Sequence, residues 1–187
     1  MNADRRDVFV RKWFKRALED KDPFDRFFSL WVALVVAATK YCNDRGLSRP
    51  GDTDGQRTHQ FLKGNQPAVL RIMDARAEHM KALAERRGTS LGTPVLDVDR
   101  PEHHRGQELI RKLERFSRHY RSAMPLSDAE KVDALAEILN KVRNNTFHGV
   151  KVYDDQEDVR VLNLVNPVLE DVLRAVVGAS HDDAAHL

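Results

Sequence analysis

Apolar residues recur along this chain at three- and four-residue intervals, and that period predicts a string of amphipathic helices. A first helix is expected over about Arg5–Glu19, with Val10, Trp13, Phe14, Ala17 and Leu18 on one face and Arg11, Lys12, Lys15 and Arg16 on the other. Pro23 stops it and opens a second helix, for which Asp22 is the expected N-cap. That second helix carries Phe24, Phe27, Phe28, Trp31, Leu34, Val35, Ala38 and Tyr41. Its middle is apolar nearly all round, so it is expected to be the most buried element. The stretch Asp44–Gln56 is rich in glycine, proline and aspartate and predicts a loop. A short helix over His59–Lys63 and a longer one over Pro67–Arg86 follow, the latter with Val69, Ile72, Met73, Ala77, Met80, Leu83 and Ala84 inward. Arg87–Pro101 reads as a second long loop.

The next expected helix spans His103–Ser122, with Leu109, Leu113, Phe116 and Tyr120 inward. Pro125 ends it. Ser127 and Glu130 have capping-box spacing, and the helix they open places Val132, Leu135, Leu139 and Val142 on one face. A last helix is expected from about Glu157. Pro167 lies inside its pattern, so that it either kinks there or restarts with Asn166 as cap. The tail after Gly178, residues 179–187, is polar and expected to fray. No strand-period run exceeds a few residues, apart from "GVKVY". The fold class is therefore all-α: a bundle of four to five core helices, with residues 46–101 an inserted helical and loop region in a single domain over 1–178.

Composition narrows the classes. A length of 187 residues suits one domain with a real core. Charged residues make up 32% and the net charge is +2, too small to demand a polyanionic partner, so any RNA-binding face must come from local clustering. Cys42 is the only cysteine, which excludes an internal disulfide or a cysteine-rich zinc site and agrees with a cytoplasmic location. The charged amino terminus lacks the apolar stretch of a signal peptide. The longest apolar run, Leu30–Ala38, is far too short to span a bilayer, so no membrane partner is expected.

The chemistry concentrates in "KVRNNTFHGVKV", Lys141–Val152. Arg143 and His148 stand about 140° apart on an ideal helix, so they converge on one ligand only if the helix ends between them. Gly149 suits such an end. Arginine holds phosphate through a planar fork of donors, and histidine moves a proton near neutral pH. Read from the residues alone, the pair is also compatible with a surface arginine and a helix-capping histidine.

The Arg-x4-His spacing, Asn144 directly after the arginine and "FHG" closing the run resemble the HEPN superfamily. The helix "DPFDRFFSLWVALVVAATKY", Asp22–Tyr41, resembles the buried second helix of many such proteins. The acidic step "DDQED" before an apolar final helix is a third likeness. The resemblance covers about two thirds of the chain and leaves out about Gly46–Pro101. It implies a metal-independent endoribonuclease in a defence or toxin-like role, with no cofactor. In that role His148 serves as general base or acid on the ribose 2′-hydroxyl, and Arg143 stabilises the pentacoordinate phosphate. Asn144 either binds phosphate or orients the histidine, if it is not simply a helix-terminal asparagine. The expected products carry 2′,3′-cyclic phosphate and 5′-hydroxyl ends. The expected partners are RNA, a second copy of the chain in a homodimer whose cleft lies on the two-fold axis, and a cognate inhibitor or antitoxin. Phe147 and Val150 would lie at the dimer contact. Val150 stands where many HEPN toxins paired with nucleotidyltransferase-type antitoxins carry tyrosine, which argues against that subtype. The alternative is a non-catalytic HEPN module that binds RNA or a protein.

Arg111, Arg115 and Arg118 recur at i, i+4 and i+7 and form either an RNA-tracking stripe or a solvated face. His103 and His104 lack further ligands at zinc spacing. Asp154, Asp155, Glu157 and Asp158 read as the acidic first turn of the last helix, so no metal site is expected.

Overall fold

The computed structural model describes residues 3–85, 111, 115, 116, 118–120, 125–147 and 156–182. The helices are α1 (Ala3–Glu19), α2 (Pro23–Asp44), α3 (Asp54–Gly64), α4 (Gln66–Ala75), α5 (Ala77–Glu85), α6 (Asp128–Phe147) and α7 (Gln156–Asp182). The described residues within 111–120 are also helical, and no strand occurs among the described residues. The protein is an all-α bundle.

Helix starts follow local chemistry. Asp22 Oδ1 accepts from the N–H groups of Phe24 at 2.8 Å and Asp25 at 3.1 Å, with Pro23 in the first turn. This is the expected cap, and it satisfies donors that have no partner inside the helix. Ser127 and Glu130 form the expected capping box: Glu130 N–H donates to Ser127 Oγ at 3.3 Å, and Ser127 N–H donates to Glu130 Oε2 at 2.9 Å. A second capping box, Thr53 with Gln56, starts α3 five residues earlier than the expected short helix at His59. The Thr-x-x-Gln spacing was present in the sequence, inside a stretch whose glycines and aspartates read as loop.

Two further boundaries differ from expectation. The single helix expected over Pro67–Arg86 is interrupted at Arg76, whose N–H bonds back to Ile72 O at 2.8 Å and whose Nε lies 2.6 Å from Asp171 Oδ2 on α7. Ala77, expected inward, is exposed after this break. α7 runs unbroken through Pro167 and on past Gly178 to Asp182. Asn166 is therefore not a cap. It is buried, and its Nδ2 donates to Pro23 O at 3.0 Å, tying α7 to the start of α2.

α2 packs against α1, α3 and α7, while α3 and α4 pack against α6 and α4 and α5 against α7. Phe27, Leu30, Leu34, Leu135, Leu139, Leu162 and Leu169 form the centre. Phe61, Leu62, Val69, Met73, Met80 and Leu83, from the segment expected as an insertion, are buried in the same core. α2 is not covered all round: Phe28 is 44% exposed, and Leu18 of α1, expected inward, is 45% exposed. Phe116 is buried and Tyr120 half-buried, with their rings 4.8 Å apart, so both belong to the core. Burial, with the charge of Asp74 adding to it, pushes the Tyr120 hydroxyl up to about 12. Among the described residues no helix is long and apolar enough to cross a membrane.

Candidate functional site

α6 carries Ala136, Asn140, Arg143 and Asn144 at i, i+4, i+7 and i+8, one face of a helix. That face forms one wall of a groove of about 860 Å³. The opposite wall is the start of α3 with the residues before it: Asp52, Thr53, Asp54, Gly55, Gln56 and, one turn on, His59. Trp31 of α2 lies at its base. The two walls approach closely at Gly55, where a Cβ would come within 2.9 Å of Asn140 Oδ1.

Arg143 sits in the last turn and a half of α6. Its Nη1 donates to Asn144 Oδ1 at 2.9 Å. Its guanidinium carbon stands 5.3 Å from the centre of the Phe147 ring, a cation–π distance. Its Nε is buried and meets no acceptor among the described residues. A buried donor without a partner costs roughly 1–3 kcal/mol, and a bound acceptor would recover that cost. Thr146 Oγ1 donates to Val142 O at 2.7 Å within the same turn. α6 is helical as far as Phe147, so Arg143 still lies within the helix. His148, Gly149 and Val150 lie outside the described residues, as do Asp154 and Asp155. Asp158 is buried in the first turn of α7.

His59 was expected only as the start of a short helix. Its Nε2 lies 2.6 Å from Asp133 Oδ1 on α6, and Lys63 Nζ is 3.4 Å from the same oxygen. Burial pushes the Asp133 carboxyl up, but the His59 hydrogen bond and the nearby His59 and Lys63 charges outweigh it and hold the carboxyl below its ordinary value. The sequence offers no signal for this pairing, because the partners stand far apart in the chain and only the α3–α6 contact joins them.

The basic stripe is exposed at Arg111, Arg115 and Arg118. Arg115 pairs with Glu130 of the α6 capping box, which links Arg115 to the start of α6. None of the three lines the groove of Arg143. Among the described residues no three His, Cys, Asp or Glu side chains are grouped to hold a metal.

Next to Arg143 begins a row of aromatic rings. Phe147 packs on Phe28 at 5.4 Å, Phe28 on Trp13 at 5.8 Å, and Trp13 on Phe9 at 6.0 Å. Phe9 and Phe28 are the exposed members. No protein-family model, curated protein or solved structure matches this chain.

Proposed function

We propose that the protein is a metal-independent endoribonuclease of HEPN type, acting in the cytoplasm in a defence or toxin-like role. The observation that carries this reading is the placement of Arg143 and Asn144 on the wall of a large groove, with a buried guanidinium N–H lacking a partner among the described residues. A phosphate oxygen is the natural acceptor for such a group.

In the proposed reaction the ribose 2′-oxygen attacks phosphorus and the bond from phosphorus to the 5′-oxygen breaks. One histidine takes the 2′-hydroxyl proton, and the leaving 5′-oxygen receives a proton from a second group. Arg143 bears the charge that develops on the equatorial oxygens. The ends formed are 2′,3′-cyclic phosphate and 5′-hydroxyl. His148 of one protomer and of its partner would supply the two proton-transfer groups if a two-fold axis passes through the cleft. The exposed aromatic row beside Arg143 supports a second copy of the chain at this edge. RNA is the substrate, and a cognate inhibitor or antitoxin is a natural partner for such an activity.

A non-catalytic RNA- or protein-binding module is the second reading. Asp52, Asp54 and Glu137 favour it, because they set three carboxylates against Arg143 and His59 in the groove. The test is cleavage of single-stranded RNA in the presence of chelator by wild type, Arg143→Ala and His148→Ala. Cleavage by wild type alone supports the enzyme. Activity that vanishes in chelator and returns with magnesium would shift attention to Asp154, Asp155 and Asp158. No cleavage under any condition favours the binding module.

A further inference from the structure

The groove that holds Arg143 is longer than one phosphate needs, and its other end carries a histidine fixed by a carboxylate. Asp133 precedes Arg143 by ten residues on α6, so the two positions are separated by about 15 Å along the axis. His59, bound to Asp133, is therefore set apart along the groove from the backbone position of Arg143. Stacked nucleotides advance by roughly 3.4 Å each along one strand, so the interval corresponds to about four of them.

We propose that the α3–α6 groove holds a single-stranded RNA tract about four nucleotides long, with Arg143 at one end and His59, oriented by Asp133, as the anchor at the other. This rests on the RNA-binding part of the reading above. With Nε2–H donating to Asp133 at 2.6 Å, the ring orientation is set and Nδ1 is left for a ligand. Nδ1 has no partner among the described residues. His59 lines the groove, whereas Lys63, which shares the Asp133 oxygen, does not.

The walls carry the acceptors Asp52, Asp54, Glu137 and Asn140, while Gln56 Oε1 is taken up by the Thr53 capping box. Carboxylates repel phosphates, so the backbone between the anchors turns to solvent and the bases face the walls. Bases with exocyclic amino groups donate to such walls, and an asparagine amide matches the adenine edge with two hydrogen bonds. Asp133 is a positioning residue and His59 a binding residue.

The test uses 2′-O-methyl oligoadenylates of two and six nucleotides, which lack the attacking hydroxyl and stay intact whether or not the protein cleaves RNA. Fluorescence anisotropy gives the two affinities. The six-nucleotide probe is expected to bind more tightly to wild type, and the ratio of the two affinities to fall about tenfold in His59→Gln. Asp133→Asn keeps the side-chain shape and is expected to lower the ratio in the same direction. In wild-type protein, the longer probe should also shift the His59 imidazole NMR signals while the shorter does not. An unchanged ratio in both variants, or unshifted His59 signals with the longer probe bound, would overturn the proposal and leave His59–Asp133 as an interhelical tie. So would failure of wild type to bind the longer probe. Absence of cleavage on unmodified RNA, with length preference and its loss in His59→Gln intact, would remove the enzyme reading and keep this one.

Discussion

Arg143 is held at three points of one helical turn: its backbone lies inside α6, its Nη1 bonds Asn144, and its guanidinium lies over Phe147. Such a side chain is preorganised, which is what electrostatic stabilisation of a developing charge requires. Arg143→Ala is expected to lower RNA cleavage by about 10²–10³-fold, the loss typical of removing one such donor. Far-UV circular dichroism should stay near wild type, because Arg143 lies in the last turn and a half of α6 and its substitution leaves the buried Val132, Leu135, Leu139 and Val142 in place. Loss of helicity in parallel with activity would assign Arg143 to the fold. A residue of purely structural weight is Gly64, the last residue of α3. A Cβ there would overlap the hydroxyl of Tyr41, whose ring packs edge-on to Phe61 at 5.6 Å and under Arg45 at 4.0 Å and so has little room to move. Gly64→Ala should cost about 1–3 kcal/mol in denaturant unfolding. The same cost in a Tyr41→Ala background would show that the overlap is not its cause.

Elements are joined here by a few polar ties laid over an apolar core. Arg26 pairs with Glu170, Arg76 with Asp171, and Asn166 with the Pro23 carbonyl, so α7 is tied to both α2 and the α4–α5 junction. α3 is tied to α6 by His59, Lys63 and Asp133. The Asp133 carboxyl is depressed in the folded protein, so its contribution to stability is complete above the ordinary carboxylate value of 3.8 and is lost as pH falls through the lower folded value. Partial exposure keeps that contribution under about 1 kcal/mol. Asp133→Asn should therefore narrow the stability gap between pH 7 and pH 3. Chemical denaturation at the two pH values measures it, and an unchanged gap would show that the carboxylate does not stabilise the α3–α6 contact.

At the scale of the whole molecule, the row Phe9, Trp13 and Phe28, exposed at Phe9 and Phe28, runs from α1 across α2 to Phe147 and so to Arg143. On the ribonuclease reading proposed above, this apolar edge beside Arg143 is where a second copy would bury surface and add a second histidine. Phe147 is packed on Phe27 as well as Phe28, so a charge there would disturb the fold. Phe28 is the better probe because it is nearly half exposed. Phe28→Glu is expected to convert dimer to monomer in analytical ultracentrifugation and to lose cleavage in parallel. A wild-type monomer fully active at nanomolar concentration would sink the shared cleft while leaving the ribonuclease reading intact.

Helical period, the Asp22 cap and the Ser127–Glu130 capping box were all legible in the chain, because each depends on residues within a turn or two of one another. The all-α class and most of the core of α2, α6 and α7 follow from those local signals. Arg143 and Asn144 were legible as candidates because an arginine, an amide pair and a histidine stand within one short run. The tertiary structure alone decided that α3, α4 and α5 share the central core, that Phe28 is left at the surface, and that Asn166 bonds Pro23 instead of capping a helix. It also decided that His59 stands at the far end of the Arg143 groove. Asp133 and His59 are joined only when α3 lies across α6, and no period or spacing in a sequence encodes which two helix faces will meet.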